Sequence, residues 1–271
     1  MPSVPPSQPR RLAALVLRLR PLGESDLMVD LFSREMGRLS ALAKGGKRSQ
    51  KRFFGLLLAA HHLEVDLVPG KQGGLWLMES ARLLRHHLGL RQDYRRLLLA
   101  GPVLELLLRA TAPHDPHPGA LDLALLTLAR LERASEPQEM ASALVIFLTR
   151  LLGEQGYGLG LDTCLHCGRP LEAIARPRLS LAGGLACAAC PPSPRDRQVP
   201  PGLIKSLQSA LALAPTALGN LRLSPALLRP ALAFLGDFWR HVVGHDLPSL
   251  ELALEQSAHL SSPFPSRRKT L

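Results

Sequence analysis

Residues 15–43, LVLRLRPLGESDLMVDLFSREMGRLSALA, decide the fold of this chain. Leucine or valine recurs at every second position over 15–19 and again over 27–31, and a two-residue period is typical of β-strands. The segment 23–26, Gly-Glu-Ser-Asp, has the composition of a turn, and Met36-Gly37-Arg38 has that of a second hairpin. The stretch therefore predicts three consecutive strands joined by short turns.

Two more strands are expected before residue 80. The run 63–67 alternates apolar and acidic residues, and an apolar run follows at 75–78, with glycines on both sides of the connecting turn. Five short strands within about 70 residues favour a small closed barrel, for which the OB-fold is the candidate. We predict an OB-fold domain over 12–80, preceded by a disordered proline- and serine-rich segment over 1–11.

After residue 80 the periodicity becomes helical, and leucine and alanine dominate the composition. Candidate helices span 93–109, 120–134, 137–152, 202–214 and 225–243. We predict an all-α domain over 81–256 and a disordered basic tail over 257–271. The expected fold class is therefore α+β with more than one domain.

The four cysteines of the chain lie as Cys164-x2-Cys167 and Cys187-x2-Cys190, with nineteen residues between the pairs. A two-residue gap lets both sulfurs of one tight turn face a single ion, so two such turns supply a tetrahedral set. We predict a zinc ribbon over 161–195, in which these four cysteines bind one structural Zn²⁺. Four thiolates leave no coordination position open for a substrate.

Two other uses of the cysteines are considered. Disulfides suit secreted chains, but the proline-rich start is a poor signal peptide, and the apolar run after it is cut by Arg18 and Arg20. An iron–sulfur cluster would use the same thiolates and stays an alternative to zinc. No uninterrupted apolar run reaches membrane-spanning length, so we expect a cytoplasmic protein.

A net charge of +11 predicts a polyanionic partner, and nucleic acid is the commonest such partner in the cytoplasm. A membrane surface competes, but no long basic amphipathic helix with bulky aromatics supports it. The charge concentrates at 44–52, KGGKRSQKR, which holds five cations and no acid. Phosphate binding by such a loop is salt-sensitive and independent of base sequence. A merely solubilising loop is the alternative.

Two features next to this loop are left open. Phe53 and Phe54 directly follow the basic run, and they either stack on unpaired bases or pack into the core. A second group of arginines either extends a DNA track or solvates a helix face: Arg82, Arg85, Arg91, Arg95 and Arg96.

No catalytic set stands out, so we expect a binding protein and not an enzyme. Gly46-Lys47 and Gly70-Lys71 lack the earlier glycine and the following Ser or Thr of a phosphate loop. Neither a Gly-x-Ser-x-Gly elbow nor a paired-carboxylate motif is present. A metal-dependent hydrolase is disfavoured because it needs an open metal position.

The stretch 15–20 and the sequence after it, PLGESDLMVDLFSREMGRLSALAKGGKRS, resemble the N-terminal signature of the RecO family of recombination mediators. That family has a G-E-S/T-D turn, a hydrophobic strand, L-F, a glycine turn and a basic A-K-G loop. The late zinc module and the ending FWRHVVGHDLPSL are also similar to the family pattern. The resemblance covers residues 15–250 or so.

The resemblance implies an N-terminal OB-fold and a helical C-terminal domain that carries the zinc ribbon. It implies binding of single- and double-stranded DNA, annealing without ATP, and action on strands coated by the single-stranded DNA-binding protein. It also implies a partnership with RecR, through which the recombinase is loaded, and hence association with the nucleoid. The cysteines fall on the metal site. The residues that fall on the basic barrel face are Arg34, Arg38, Lys44, Lys47, Arg48, Lys51 and Arg52.

An alternative function is a transcription or translation factor that binds nucleic acid mainly through the zinc ribbon. In that case Arg176, Arg178 and Arg195 around the ribbon matter more than the basic loop.

Overall fold

The computed structural model of the 271-residue chain describes residues 8–49, 51–70, 75–174 and 176–256. The chain divides into two compact units. One contains the residues up to Gln92 together with 103–129, and the other contains 93–102 together with the residues from Arg130 onward.

The first unit contains a closed barrel of five strands. They are β1 (Arg10–Leu22), β2 (Asp26–Ser33), β3 (Gly37–Ala43), β4 (His62–Pro69) and β5 (Trp76–Arg85). The order around the barrel is β1-β2-β3-β5-β4, and β1 pairs with β4 to close it. The β3–β5 pair is parallel, whereas the other four are antiparallel. The predicted OB-fold class is confirmed.

Alternation along the strands fills the barrel interior. One side chain in two points inward, and the inward set is apolar. It includes Val16, Val29, Leu31, Leu39, Val65, Leu67 and Trp76, all at most 3% exposed. A bulge between Val16 and Arg18 shifts the register of β1, so that Leu19 also packs against this core.

Strand β1 begins earlier than the sequence suggested. Arg10 and Arg11, placed by the sequence in a disordered segment, pair with Leu67 and Asp66 of β4. The Nε of Arg11 lies 2.6 Å from the Oδ1 of Asp66, a partner 55 residues away along the chain. Residues 1–7 of that segment and the predicted tail 257–271 lie outside the described residues. The domain limits 12–80 and 81–256 stay predictions.

Six α-helices follow in the described part of the chain. They are α1 (Tyr94–Ala110), α2 (Pro118–Arg133), α3 (Pro137–Glu154), α4 (Pro201–Ala212), α5 (Pro225–Val243) and α6 (Pro248–Glu255). Five of them begin with proline, which suits a first turn whose N–H has no intrahelical partner. Helix α6 was not predicted, because its eight residues show little periodicity. No helix among the described residues is long and apolar enough to cross a membrane.

Helix α3 lies at the centre of the second unit and is buried at most of its positions. It packs against α4 and α5, and α5 packs against α6. Helix α5 contributes a buried tryptophan, Trp239, and a stacked pair, Phe234 and Phe238, with ring centroids 6.1 Å apart. These contacts give the unit an apolar core made of helices.

A small sheet interrupts the helices of the second unit. Its strands are β6 (Gly160–Cys164), β7 (Arg178–Ser180), β8 (Gly184–Ala186) and β9 (Asp196–Gln198), in the order β6-β8-β7-β9. Gln208 of α4 fixes β6 to the helices, since its side-chain amide donates to the carbonyl of Leu161 at 2.9 Å. The sheet lies at the position predicted for the ribbon.

Gly37 at the start of β3 cannot carry a side chain without disruption. Its φ is +60°, and a Cβ would lie 1.9 Å from the carbonyl oxygen of Asp115. We expect Gly37→Ala to destabilise the protein by about 3 kcal/mol or more, because a left-handed alanine costs about 1–2 kcal/mol before the clash is counted. Gly23→Ala, at φ +56° with nothing nearby, should cost about 1 kcal/mol. Urea unfolding measures both, and equal losses would contradict the clash.

Candidate nucleic-acid interface and metal centre

The basic loop comprises residues 44–52, and its first residues, 44–47, leave the end of β3 and are held against the β1–β2 turn. The N–H of Gly45 donates to the Oδ1 of Asp26 at 2.8 Å, and the N–H of Lys47 donates to the carbonyl of Ser25 at 2.9 Å. The hydrogen bond from Gly45 is the main reason why the pKa of Asp26 is lowered. The backbone over residues 44–47 therefore has a defined path beside this turn.

The cations of the basic loop point into solvent. Arg52 is the most constrained of them, since its guanidinium donates to the carbonyl of Lys44 at 2.9 Å and lies 5.1 Å from the centre of the Phe53 ring. The Oγ of Ser49 accepts from the N–H of Arg52 at 3.1 Å. The exposed cations brought together in this loop are Lys44, Lys47, Arg48, Lys51 and Arg52.

Arg34 and Arg38 do not join this cluster. They lie at the other end of β3, about 20 Å from Lys44 at the rise of an extended strand. Arg34 forms an ion pair with Asp122, and the Nε of Arg38 donates to the carbonyl of Thr111 at 3.1 Å. Burial lowers the pKa of the half-buried Arg38. The seven cations predicted to share one barrel face therefore divide into a loop of five and a separate pair.

Two arginines that the sequence analysis did not select lie on the outer face of β1, near Asp30. Arg18 and Arg20 of β1 donate to the two carboxylate oxygens of Asp30 at 2.8 and 3.1 Å. Arg20 pairs with Met28 of β2, and Met28 pairs with Leu42 of β3. The sequence contained a signal for this site. The two-residue period of β1 and β2 puts their polar residues, Arg18, Arg20 and Asp30, on the outer face of the barrel.

Asp30 fixes these arginines from a buried position, at 2% exposure. Burial by itself raises the pKa of Asp30, but hydrogen bonds from Ser40, Arg18 and Arg20 outweigh it, and the pKa is lowered. The carboxylate is therefore ionised at neutral pH and holds two half-exposed guanidinium groups in place.

Phe53 and Phe54 behave differently from one another. Phe53 is 3% exposed and belongs to the barrel core, whereas Phe54 is 76% exposed. Phe53 therefore packs into the core, whereas the ring of Phe54 lies in solvent.

The second group of arginines makes contacts within the protein. Arg82 pairs with Glu64 at 3.1 Å, the guanidinium of Arg91 donates to the carbonyl of Ala59, and that of Arg96 donates to the carbonyl of Ala134. These contacts favour a structural role for the three side chains over a role in binding DNA.

The four cysteine sulfurs meet at one point of the ribbon, all within 4.8 Å of one another. The Sγ of Cys167 lies 3.7 Å from that of Cys187, and the Sγ of Cys164 lies 4.0 Å from that of Cys190. Sulfurs around a tetrahedral zinc, with bonds of about 2.3 Å, are about 3.8 Å apart. A disulfide needs about 2.05 Å, so the geometry excludes that alternative. A cluster of several irons would need more widely spaced sulfurs than a single ion.

The local turns put these sulfurs in place. Gly168 follows the first pair with a φ of +68°, which lets its N–H return to the carbonyl of Cys164 at 2.9 Å. The second pair begins directly after β8, and the N–H of Cys187 points at the Sγ of Cys164 from 3.3 Å. Among the described residues, these cysteines form the one group of three or more possible ligands close enough to share an ion.

The electrostatics of the four thiols also fit a cation. Burial raises the pKa of Cys164, but backbone N–H groups of His166, Cys167 and Cys187 lower it to about 6. The pKa of Cys190 is raised to about 12, because its thiol is hydrogen-bonded to the sulfurs of Cys187 and Cys167. Four thiolates so close together repel one another, and a metal ion removes this repulsion.

Two family models match the chain. The model described as Recombination protein O N terminal matches residues 10–87 and therefore the whole barrel. The model described as Recombination protein O C terminal matches residues 91–251, which include the six helices almost completely and the cysteine cluster. The chain belongs to the RecO family.

Curated relatives carry the same family name. A DNA repair protein RecO from Syntrophobacter fumaroxidans is 33% identical over 187 residues, which are 69% of this chain and 72% of the relative. Another, from Anaeromyxobacter sp. (strain Fw109-5), is 31% identical and aligns over 88% of this chain and 92% of its own length. A third, from Heliobacterium modesticaldum, is 34% identical, with 84% and 82% covered. The resemblance based on residues 15–43 is confirmed.

Arg178 is part of the structure of the cysteine centre. Its guanidinium donates to the carbonyls of Cys187 and Cys190 at 2.8 and 3.2 Å and lies 3.6 Å from Asp196. Arg176 and Arg195 are exposed instead. A nucleic acid at the ribbon would therefore meet the last two arginines, whereas Arg178 holds the second cysteine turn.

Proposed function

We propose that this protein is a DNA repair recombination mediator that binds single- and double-stranded DNA without sequence specificity. It anneals complementary strands without ATP and, with RecR, helps to load the recombinase onto strands coated by the single-stranded DNA-binding protein. The observation that carries the proposal is the basic loop, five exposed cations fixed at one end of an OB-fold barrel, in a chain of the RecO family. It acts in the cytoplasm, at the nucleoid.

The proposed mechanism is electrostatic. A cation at a phosphate releases a condensed counterion, so binding is sensitive to salt and independent of sequence. Two strands bound to one cationic surface repel one another less and meet at a higher local concentration.

The metal in this proposal has a structural role. One Zn²⁺ held by Cys164, Cys167, Cys187 and Cys190 would be closed to substrate, because four sulfurs complete its tetrahedron. The ion would supply no reaction chemistry. It would neutralise the thiolates and hold two turns together in a sheet whose three-residue strands β7, β8 and β9 are too short to be stable alone.

The alternative is a transcription or translation factor that binds nucleic acid mainly through the ribbon. Two exposed arginines, Arg176 and Arg195, favour it. The ribbon offers fewer free cations than the basic loop, because Arg178 is occupied by the cysteine carbonyls and Asp196.

The test is annealing of complementary oligonucleotides coated with the cognate single-stranded DNA-binding protein, without ATP, at two salt concentrations. We expect annealing to be accelerated by the protein and slowed about tenfold or more when salt rises from ~50 to ~200 mM, since several phosphate contacts are lost together. DNA binding without annealing would favour the ribbon alternative. Absence of DNA binding would overturn the proposal.

A further inference from the structure

Phe54 is the most exposed of the large apolar side chains among the described residues, at 76%. Burying such a ring is favourable, and its neighbour Phe53 achieves this in the barrel core. The ring of Phe54 is not buried in this core. An isolated exposed apolar residue is ordinary, so the proposal depends on how Phe54 is held and on what surrounds it.

The backbone around Phe54 is held in place on both sides. The Oγ of Ser49 accepts hydrogen bonds from the N–H groups of Arg52 and Phe53, both at 3.1 Å. On the other side, the N–H of Leu56 donates to the carbonyl of Phe53 at 3.0 Å. The buried ring of Phe53 anchors this turn, so the ring of Phe54 leaves from a fixed backbone. A ligand that covers the ring therefore loses little binding free energy to ordering the chain.

Two exposed cations lie close to Phe54 along the chain. Lys51 and Arg52 lie three and two residues before it and are exposed. Arg52 is positioned by the carbonyl of Lys44 and by the Phe53 ring. An aromatic face next to cations that follow a phosphate backbone is the composition of surfaces that bind single strands.

We propose that Phe54 is the stacking site for an unpaired nucleobase, and that it makes the basic loop prefer single-stranded over double-stranded nucleic acid. In a duplex both faces of a base are covered by its neighbours, so a protein ring reaches only an unpaired or terminal base. Phosphates of either form can bind the cations. The inference rests on the proposed function, because it takes nucleic acid to bind at this loop.

The first test compares Phe54→Ala with the native protein on an oligothymidine and on a duplex of the same length. Because Phe54 is exposed, the substitution leaves the core intact. Loss of one stacked base should weaken single-strand binding about tenfold and leave duplex binding within about twofold. Phe54→Tyr should restore single-strand binding, since its ring stacks equally well. Equal weakening for both nucleic acids, or no weakening for the single strand, would overturn the proposal.

The second test uses Phe54→Trp as a fluorescent probe. The native Trp76 and Trp239 are 3% and 1% exposed and give a constant background. Oligothymidine should quench the new indole, whereas duplex should not. Leu252→Trp in α6 is the matched control, because Leu252 is 46% exposed and lies next to Glu251, and its indole should not be quenched.

The two ways in which this second test can fail are distinguishable. If the Phe54→Trp variant binds the single strand and its new indole stays unquenched, the inference alone is overturned. If the native protein does not bind the single strand, the proposed function is overturned as well.

Discussion

Lys47→Glu combined with Lys51→Glu should weaken single-strand binding about 100-fold at ~0.1 M salt and abolish annealing. Both side chains are exposed, and each substitution replaces a cation with an anion beside the phosphates. The native ammonium of Lys47 donates to the carbonyl of Gly23 at 2.6 Å, a solvent-exposed contact of small value for stability. The fold should therefore persist, as circular dichroism and the urea midpoint will show.

The salt dependence gives a second measure of the same double variant. Each lost phosphate contact lowers the slope of log K against log salt by about one, so the slope should become about two units less steep. An unchanged affinity and slope would mean that DNA does not bind at the basic loop.

The matched control is Arg176→Glu combined with Arg195→Glu in the ribbon. It changes the net charge by the same amount, affects exposed side chains, and leaves Arg178 on the cysteine carbonyls. We expect its DNA affinity to stay within about threefold of the native value, because the proposal assigns the phosphate contacts to the basic loop and not to the ribbon. A larger loss here than in the loop variant would favour the ribbon alternative.

Cys164→Ser should reduce the zinc content from one ion per chain to nearly none and unfold the ribbon. Cys164 is 2% exposed, and its sulfur lies 4.0 Å from that of Cys190, so the substitution removes one corner of the tetrahedron. In short zinc modules the binding free energy is about 10–16 kcal/mol and is largely folding free energy. Elemental analysis of the purified protein measures the ion directly.

His166→Ser is the control for the metal prediction. This histidine lies inside the first cysteine pair and is exposed, outside the set of close sulfurs, so its replacement should leave the zinc content unchanged. Hydrogen exchange of Cys164→Ser should rise over 160–198 and stay slow over 27–43 in the barrel. Full protection of the ribbon without metal would contradict a structural role for zinc.

The barrel and the cysteine centre were readable from the sequence, because the interactions that encode them are local. A two-residue period and short turns specify a strand and its neighbour, as residues 15–43 show. The spacing of Cys164 and Cys167 within one turn is likewise a local property, and it brings both sulfurs to the same side. The five cations of the basic loop were also evident, since they are contiguous.

The sequence did not show which of the candidate side chains are free to bind, because this depends on contacts with residues distant in the chain. Arg34 and Arg38 resemble the loop cations in the sequence, but Asp122 and the carbonyl of Thr111, 88 and 73 residues further on, engage them in the fold. The sequence does not distinguish Phe53 from Phe54. Strand packing buries the first ring and leaves the second in solvent, because adjacent residues project in different directions. The sequence thus determined the elements and the chemistry available, and tertiary contacts determined which side chains remain free to bind.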